Sequence, residues 1–540
     1  MRSPLTETSN LLQPHQPAPA DYYQNNLQHA FEFVLSRYAD MLCAAHSHSL
    51  SQFLAASADA QRLLARLLIR KGPYFLRTSL HYAEVAELDA AVSELHQRGL
   101  ISLNPGAADR LMALYTKSEL CECFNVPTSI RKSTKSLIGE YVLSRYADEQ
   151  IAKRLAALRP WIRLRAQRYW QLTQLLFFGN ANQNWSTFVR KDLGQIRYEA
   201  LPLTQPQYND VRSLNAYLLG QNLHGLCYRL DEYPQLASAL YKALENSLTP
   251  ETPEDRLQRC ALLLGQWAER NSKFDLALCV YELTDKPPAR ERRARILRRL
   301  KYPEAAELLR QEMLSAPLSA KEQVFAERFG RRGAGFQPKV TELRINAPYE
   351  SIEEYALTTL IADGGWGIHC ENTLFKSLTG LLYWPVIFAD VEDAFTNPFQ
   401  SAPHDLTSED FCFRRRALLQ QHEQWLQDDF VLAEFLQATY DAKIGTANRL
   451  VNWSLFETIP IAQWLEALPI GAIRRLCYFL IRNLADYRSG FPDLFVCYGA
   501  NNYEFVEVKG PNDQLQPQQR AWFKVLEGLA LPARILKLRL

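Results

Sequence analysis

The chain has 540 residues, of which 47% are hydrophobic, 11% aromatic and 22% charged. This composition is typical of a globular protein and excludes a disordered chain, and at about 150 residues per domain the length predicts three or four domains. The 61 Lys and Arg residues against 59 Asp and Glu residues leave a net charge of +2. No global positive field therefore favours nucleic acid, and any surface for it has to be local.

The 10 cysteines stand singly, without a C-x-x-C pair. Zinc fingers need closely spaced ligand pairs, so no Cys-rich zinc site is predicted.

The N-terminus lacks an apolar signal-peptide core, and the apolar stretch Leu378–Ala389 is too short for a membrane span of about 20 residues, so we expect neither secretion nor a membrane. Residues 1–20 are rich in Pro and Gln and are predicted to form a loose tail.

The N-terminal region is predicted to be helical, with apolar residues at helical spacing from Tyr22 to about Leu68. A short strand at Tyr74–Leu76 then precedes two helical stretches, and Gly99 closes the second of them. This order resembles a small winged-helix unit. An ordinary helical bundle fits the same pattern.

Residues 116–138 predict two short helices around a turn that contains proline. Thr116 and Glu119 have the spacing of a capping box, which marks the start of the first helix. Arg131, Lys132 and Lys135 cluster on the second helix. The segment resembles a SAP-type DNA-binding module, and the alternative is a solvated charged face.

From about residue 160 to 330 the pattern is almost entirely helical. Three stretches repeat an aromatic residue shortly before a small one, which lets paired helices approach closely. The pairs are Tyr233 with Ala237, Phe274 with Ala277, and Tyr302 with Ala305. Their spacing is irregular, so the pattern predicts a degenerate tetratricopeptide-like helical repeat.

A basic stretch lies within this helical region, at residues 287–301. Helical spacing aligns Arg292, Arg295 and Arg299 into one stripe, and such a stripe can follow the phosphates of DNA. A solvated helix face is the alternative, because most basic runs are of that kind.

The C-terminal region contains a predicted β-hairpin. Leu494–Tyr498 and Tyr503–Lys509 are the strands, and 499–502 supply the turn. Side chains alternate along a strand, so Glu507 and Lys509 share one face and the two valines beside them share the other. Asp493 opens the first strand and can meet Glu507 across the hairpin.

These residues are the groups that metal-assisted phosphodiester cleavage needs. Asp493 and Glu507 can hold Mg²⁺ or Mn²⁺, which prefer oxygen ligands, and the carbonyl of Val508 can supply another oxygen. Lys509 can orient the attacking water and stabilise its hydroxide form. A surface salt bridge between Glu507 and Lys509 is the alternative, but Pro492 and Asp493 before a strand, a turn and a strand favour a nuclease site.

The segments GFPDL, EVKGPND and Gln519-x-x-Trp522 resemble the VRR-NUC branch of the PD-(D/E)xK nuclease superfamily. More specifically, the chain resembles a bacterial-type member of the Fanconi-associated nuclease family. The resemblance implies a multidomain, mainly α protein with a C-terminal α/β nuclease domain of the PD-(D/E)xK type. It places a helical N-terminal region with a SAP-like module and a tetratricopeptide-like helical middle before that domain.

On this resemblance we predict four regions. They are an N-terminal helical, winged-helix-like region at 1–108, a SAP-like module at 109–155, a tetratricopeptide-like region at 156–340 and a VRR-NUC nuclease domain at 341–540.

The resemblance also implies a biochemical role. The expected activity is a structure-selective DNA nuclease that cuts near 5′ flaps and degrades DNA from 5′ to 3′, with Mg²⁺ or Mn²⁺ as cofactor, in interstrand-crosslink repair. Expected partners are branched or flapped DNA and, through the helical middle, repair proteins. No ubiquitin-binding zinc finger is evident, and the expected location is the cytoplasm or nucleoid of a bacterium, or the nucleus of a eukaryote.

The family pattern adds further candidate residues. In the family a glutamate on a helix completes the metal site, and the matching position in GIHCENTLFKSLTGLLYWPVIF is Glu371, which without the resemblance fits a helix-dipole partner. Gln519 is expected to support the active site from the following helix, and Arg488 to approach a phosphate. His369 is expected to be structural, because a metal-bound water needs no histidine base.

Two rival functions remain open from the sequence. One is a catalytically inert DNA-repair scaffold, against which the intact Asp493, Glu507 and Lys509 argue. The other is a sequence-specific restriction-type endonuclease that uses the same metal chemistry.

Overall fold

The structure is a computed structural model that describes residues 22–70, 72–103, 108–181, 183–188, 196–201, 207–248, 255–331, 336–345, 350–408 and 410–539. The predicted tail at 1–20 lies outside these residues. The described residues form two compact units. The first lies within 1–208 and includes Thr396–Phe399, and the second lies within 209–395 and 400–540.

The first unit consists of helices around a small sheet. Its helices are α1 (Tyr22–Arg37), α2 (Ala44–Leu54), α3 (Ala58–Ile69), α4 (Leu88–Gln97), α5 (Ala108–Met112), α6 (Lys117–Cys123), α7 (Thr128–Arg131), α8 (Lys135–Arg145), α9 (Asp148–Leu158) and α10 (Gln167–Phe178). Its strands are β1 (Tyr74–Leu76), β2 (Ile101–Leu103) and β3 (Trp161–Leu164), in the order β1-β3-β2 and antiparallel throughout.

The small sheet clarifies the winged-helix pattern. Only one helix, α4, lies between β1 and β2, together with a 3₁₀ turn at Arg77–Ser79, where the sequence predicted two helical stretches. The central strand β3 arrives from beyond α9, so α5–α9 form an insertion between two neighbouring strands. Their apolar core includes Leu120, Phe124, Ile138 and Ile151 and extends onto the strands β1 and β3. Within it α6 begins with the predicted capping box of Thr116 and Glu119.

The second unit begins with packed helices. They are α11 (Val211–Cys227), α12 (Ala237–Ser247), α13 (Asp255–Arg270), α14 (Phe274–Glu282), α15 (Ala289–Arg299), α16 (Pro303–Ser315) and α17 (Ala320–Arg328). Successive helices pack on one another, and α11–α15 share one apolar core. Whether the array is a tetratricopeptide-like repeat stays a prediction.

The small residues of the predicted repeats have different outcomes. Ala237 and Ala277 are buried in the shared core, as the pattern predicts. Ala305 is exposed, and the next residue, Ala306, is buried instead. The register of the third stretch is therefore wrong by one residue, because Pro303 starts α16 and fixes which side of its first turn faces inward.

The rest of the second unit surrounds a five-stranded sheet. Its strands are β4 (Val340–Arg344), β5 (Trp366–His369), β6 (Leu494–Gly499), β7 (Asn502–Lys509) and β8 (Ala533–Arg539). Its helices are α18 (Ile352–Leu360), α19 (Leu374–Leu382), α20 (Trp384–Ile387), α21 (Asp410–Arg414), α22 (Arg416–Trp425), α23 (Asp429–Lys443), α24 (Trp453–Thr458), α25 (Ile461–Ala467), α26 (Ile470–Arg482), α27 (Leu484–Tyr487) and α28 (Pro517–Gly528).

The sheet has the order β4-β8-β7-β6-β5. The pairs β4–β8 and β8–β7 are parallel, and β7–β6 and β6–β5 are antiparallel. Val506 and Val508 belong to an apolar cluster with Ala356 of α18. On the other face Phe505 contacts Phe375 of α19, with ring centroids 5.6 Å apart. Both faces of the hairpin are therefore covered, and its carboxylate lies in the interior.

Among the described residues, no helix combines the length and apolar character that crossing a bilayer requires.

The helix pair α13–α14 predicts an effect on stability. A Cβ added at Gly265 would stand 2.5 Å from the Tyr281 ring, which is fully buried. Overpacking of this kind costs about 1–3 kcal/mol, more than the gain in helix propensity. We expect Gly265→Ala to lower the thermal midpoint measured by circular dichroism.

Gly225 on α11 provides the matched control, because a Cβ there meets nothing within 4 Å. Gly225→Ala should raise stability by about 0.5–1 kcal/mol. Equal midpoints for the two variants would contradict the packing described for α13.

Candidate active site

The register of three neighbouring strands brings distant parts of the chain together. His369, the last residue of β5, pairs with Leu494 of β6, and Leu494 pairs with Val506 of β7. One residue further, the Cys370 N–H donates to the carbonyl of Asp493 at 2.9 Å. The segments that follow β5, precede β6 and end β7 therefore meet at one end of the sheet.

An acidic cluster lies at this end. His369, Glu371 and Asp493 each offer a ligand atom, and these atoms lie within 4.8 Å of one another. Glu371 is exposed and lies in the turn before α19, two residues ahead of its N-cap, Thr373. Glu371 therefore lies at the N-terminal edge of α19. The side chain of Asn372 donates to Glu371 Oε1 at 2.6 Å.

Glu507 lies behind this cluster and is fully buried. Lys509 Nζ is 2.8 Å from Glu507 Oε1, and Gln519 Nε2 donates to the same oxygen. Glu507 Oε2 is buried and has no hydrogen-bond partner among the described residues. Because a buried carboxylate oxygen needs a donor or a cation, this atom is available to a ligand.

The carboxylates repel one another electrostatically. Burial raises the pKa of Glu507 to about 8, and the neighbouring charge of Asp493 acts in the same direction, while Lys509 opposes both. Burial also raises the pKa of Asp493 from its ordinary value, against a hydrogen bond from the backbone of Val508. Like charges held together and desolvated in this way favour a bound cation.

Asp493 is oriented by the strand beside it. Its Oδ2 accepts a hydrogen bond of 2.8 Å from the N–H of Val508, which is almost fully buried. The backbone of Val508 therefore lies directly against the Asp493 carboxylate. This hydrogen bond crosses the hairpin, because Val508 follows Glu507 on β7 and Asp493 precedes Leu494 on β6.

The donor set fits a hard divalent cation. Three carboxylates, two of them in the cluster with His369, offer oxygen, and one buried oxygen of Glu507 has no donor among the described residues. Oxygen-rich sets suit Mg²⁺ and Mn²⁺, whereas the single imidazole also suits softer transition metals.

Helix α28 contacts the acidic residue Glu507 of the hairpin through Gln519. Gln519 lies in its first turn and links two elements, because its amide donates to Glu507 while its Oε1 accepts from the N–H of Gln516 at 2.9 Å. Trp522, one turn later, is buried and its Nε1 donates to the carbonyl of Ser489 at 3.1 Å. The helix thus connects the hairpin to the segment before Asp493.

The basic residues predicted in the first unit contact their own chain. Arg131 Nε donates to the carbonyl of Val126 at 2.7 Å, and Lys135 Nζ donates to the carbonyl of Ala113 at 3.0 Å. Lys132 is exposed. Contact of these three residues with DNA stays a prediction.

The predicted arginine stripe on α15 is similarly engaged. Arg292 pairs with Glu269 at 3.5 Å, and Arg295 pairs with Glu291 at 2.8 Å. Arg299 lies over the ring of Phe274, 4.7 Å from its centroid. The contacts of Arg292 and Arg299 join α15 to neighbouring helices, and DNA binding by the stripe stays a prediction.

The structure adds two basic residues, His369 and Lys376, to those near the carboxylates. The sequence analysis expects a structural role for His369, whereas the structure places it in the acidic cluster. Its position at the end of a strand, two residues before Glu371, is the sequence feature that indicates this. Lys376 was missed altogether, although it is the only charged residue in the apolar stretch 373–388. Both Glu371 and Arg488 act on its charge.

The raised pKa of Glu507 predicts how stability changes with pH when no metal is present. Between pH 4.5 and about 8 the unfolded chain releases this proton while the folded chain keeps it. Stability should therefore fall as pH rises through this window, by at most about 1.4 kcal/mol per pH unit for one group. Thermal midpoints in EDTA from pH 5 to 8.5 measure the slope.

Glu507→Gln should reduce this slope and melt higher than the parent at pH 8. Glu466→Gln, an exposed carboxylate on α25, is the matched control and should leave the slope unchanged. Parallel slopes for the parent and Glu507→Gln would contradict the desolvation of this carboxylate.

Comparisons with known proteins agree on one family. The family model described as FAN1, HTH domain matches residues 21–102, and the VRR-NUC domain model matches residues 429–538. A Fanconi-associated nuclease 1 homolog of Pseudomonas aeruginosa is 30% identical over 97% of each chain. Human Fanconi-associated nuclease 1 is 34% identical over 34% of this chain and 19% of the human protein.

A solved structure is similar over nearly the whole length. The crystal structure of paFAN1 bound to a 2-nucleotide 5′ flap DNA with a gap has a TM-score of 0.85 and 29% identity, covering 97% of this chain and 99% of that chain. Asp493 and Glu507 lie within the residues that the VRR-NUC domain model matches. The chain therefore belongs to the Fanconi-associated nuclease family and is a DNA nuclease with a VRR-NUC domain.

Proposed function

We propose that this nuclease cuts branched DNA near 5′ flaps, degrades DNA from 5′ to 3′ and acts in the repair of interstrand crosslinks. The observation that carries the proposal is the meeting of Glu371, Asp493 and Glu507 beside Lys509 at one end of the sheet. The similarity to paFAN1, which was solved with 5′ flap DNA, supports the choice of substrate.

The metal ligands in this proposal are the carboxylates of Glu371, Asp493 and Glu507 and the carbonyl of Val508, with Mg²⁺ or Mn²⁺ as the ion. Oε2 of Glu507 supports this set, because it is desolvated and has no donor among the described residues, and such a carboxylate oxygen favours a cation. A bound divalent ion offsets charge on the scissile phosphate and lowers the pKa of a water molecule.

The side chains of the protein supply orientation and a proton-holding group. The Val508 N–H fixes one oxygen of Asp493, and Gln519 and Lys509 together fix one oxygen of Glu507. An ammonium has three donors, so Lys509 can bind Glu507 and still donate to the attacking water or to a phosphate oxygen. In the proposed reaction it orients that water and stabilises its hydroxide form.

Recognition in this proposal depends on the shape of the DNA. Substrates defined by a branch share no sequence, so binding has to come mainly from phosphate contacts. We assign these contacts to the seven predicted basic residues, Arg131, Lys132, Lys135, Arg292, Arg295, Arg299 and Arg488. Affinity should consequently fall steeply with salt.

The domain scheme of 1–108, 109–155, 156–340 and 341–540 is part of the same proposal. The HTH family match at 21–102 and the VRR-NUC match at 429–538 support its two ends. Repair proteins are proposed to bind the helical middle, and the cytoplasm or nucleoid is the proposed location for a bacterial protein.

Substitutions in the site should separate catalysis from binding. Asp493→Ala should lower kcat at least about 10³-fold and Lys509→Ala about 10²–10³-fold, because each loses a group that acts in the transition state. The DNA dissociation constant should stay within about threefold. Single-turnover cleavage and fluorescence anisotropy measure the two quantities.

Glu527→Ala removes an exposed carboxylate from α28 and is the matched control. Wild-type cutting by Asp493→Ala would show that the metal assignment is wrong. Full recovery of Lys509→Ala with excess Mn²⁺ would place the lysine outside the chemistry.

A panel of labelled substrates tests the function itself. Flap, nicked, hairpin and blunt duplexes are incubated with Mg²⁺, Mn²⁺ or EDTA, and we expect cleavage near the 5′ flap only with a metal. An absence of cleavage in every condition would favour the inert scaffold. Cleavage of plain duplex at one sequence would favour a restriction-type enzyme.

A further inference from the structure

Two cations lie beside the acidic cluster. Lys376 is half-buried near the start of α19, five residues after Glu371, and Arg488 is exposed at the end of α27, five residues before Asp493. The charges of Arg488 and of Glu371 both reach Lys376.

The segment that carries Arg488 is fixed against α19. The N–H of Phe491 donates to Asn372 Oδ1 at 3.0 Å, and the rings of Phe491 and Phe375 are 5.2 Å apart. On its other side the carbonyl of Ser489 accepts from Trp522 of α28. The two cations therefore extend from neighbouring elements whose positions are fixed by packing.

Neither cation has a counter-ion among the described residues. In the part of the chain that the structure describes, no carboxylate oxygen lies within 4 Å of Lys376 or Arg488, and neither side chain makes a hydrogen bond. Lys509, also near the site, is by contrast paired with Glu507 at 2.8 Å. Burial and the charge of Arg488 lower the pKa of Lys376, against the attraction of Glu371.

Holding a half-buried ammonium next to a guanidinium costs free energy unless an anion lies between them. The carboxylate of Glu371 offsets only part of the positive charge of Lys376 and Arg488, because it also belongs to the acidic cluster. The anion that such a nuclease meets beside its carboxylates is a DNA phosphate. A guanidinium can donate two parallel hydrogen bonds to a phosphate, and an ammonium adds a compact charge.

We propose that Lys376 and Arg488 together bind one backbone phosphate within two nucleotides of the scissile bond and thereby position the cut strand. This inference rests on the proposed function, and it makes Lys376 a positioning residue that contacts substrate. The alternative role is that Lys376 only neutralises Glu371.

Binding without metal tests the proposal independently of cleavage. The cut is first mapped with the active protein on a gapped 5′ flap duplex. Duplexes are then made with a single neutral methylphosphonate at each linkage within four nucleotides of the cut. Their affinities for the Asp493→Asn protein and for the same protein with Lys376→Met and Arg488→Met are measured in EDTA by fluorescence anisotropy.

We expect the methylphosphonate at one linkage within two nucleotides of the cut to weaken DNA binding by the Asp493→Asn protein about tenfold. The same methylphosphonate should not weaken DNA binding by the triple variant. The slope of log affinity against log salt should fall by about 1 per lost phosphate contact. In the active protein Lys376→Met should raise KM and leave kcat within about threefold, and Lys376→Arg should recover most of the loss.

Lys242→Met removes an exposed lysine from α12 and controls for the loss of one charge. The proposal is overturned if no linkage shows a penalty that depends on Lys376 and Arg488. It is also overturned if Lys376→Met changes Mn²⁺ affinity, measured by calorimetry, and leaves DNA affinity and its salt slope unchanged. A failure of the flap assignment itself appears separately, as no cleavage of the flap duplex by the wild-type protein.

Discussion

The buried carboxylate of Glu507 is the constraint on which the architecture of the nuclease region depends. A carboxylate without solvent, beside a second carboxylate, is unfavourable unless donors and a cation surround it. The structure supplies the donors from two directions, Lys509 on the same strand and Gln519 on the following helix. One oxygen of Glu507 has no donor in the described residues. A cation bound there would therefore both stabilise the fold and take part in the chemistry.

The surrounding elements hold these groups in place. The antiparallel pairs β5–β6 and β6–β7 fix which residues leave the sheet side by side, and helices on both faces keep water from the hairpin. Aromatic packing of Phe491 against Phe375 and Phe505 holds the segment before Asp493. The exposed Glu371 lies on the solvent side of the site.

The sequence predicted the parts of this site that are local in the chain. Alternation placed Glu507 and Lys509 on one face of a hairpin, and the turn residues fixed its register with Asp493. Glu371 required the family resemblance, because nothing in the sequence pairs β5 with β6 across more than a hundred residues. Lys376 was missed because one charge in an apolar helix reads as a solvent-facing position.

The pairing of strands in the first unit also escaped prediction, because it joins residues that lie far apart in the chain. The strand β3 pairs with β1 and β2 although five α-helices separate it from β2 and six from β1. Leu103 and Ile162 are direct partners in that sheet, so the chain leaves and returns at points only about 5 Å apart. Because β1 and β3 complete the apolar core of the inserted helices, the insertion and its host depend on each other for burial. A pull on the insertion would load the β2–β3 ladder one hydrogen bond at a time, because both of its ends leave the sheet side by side.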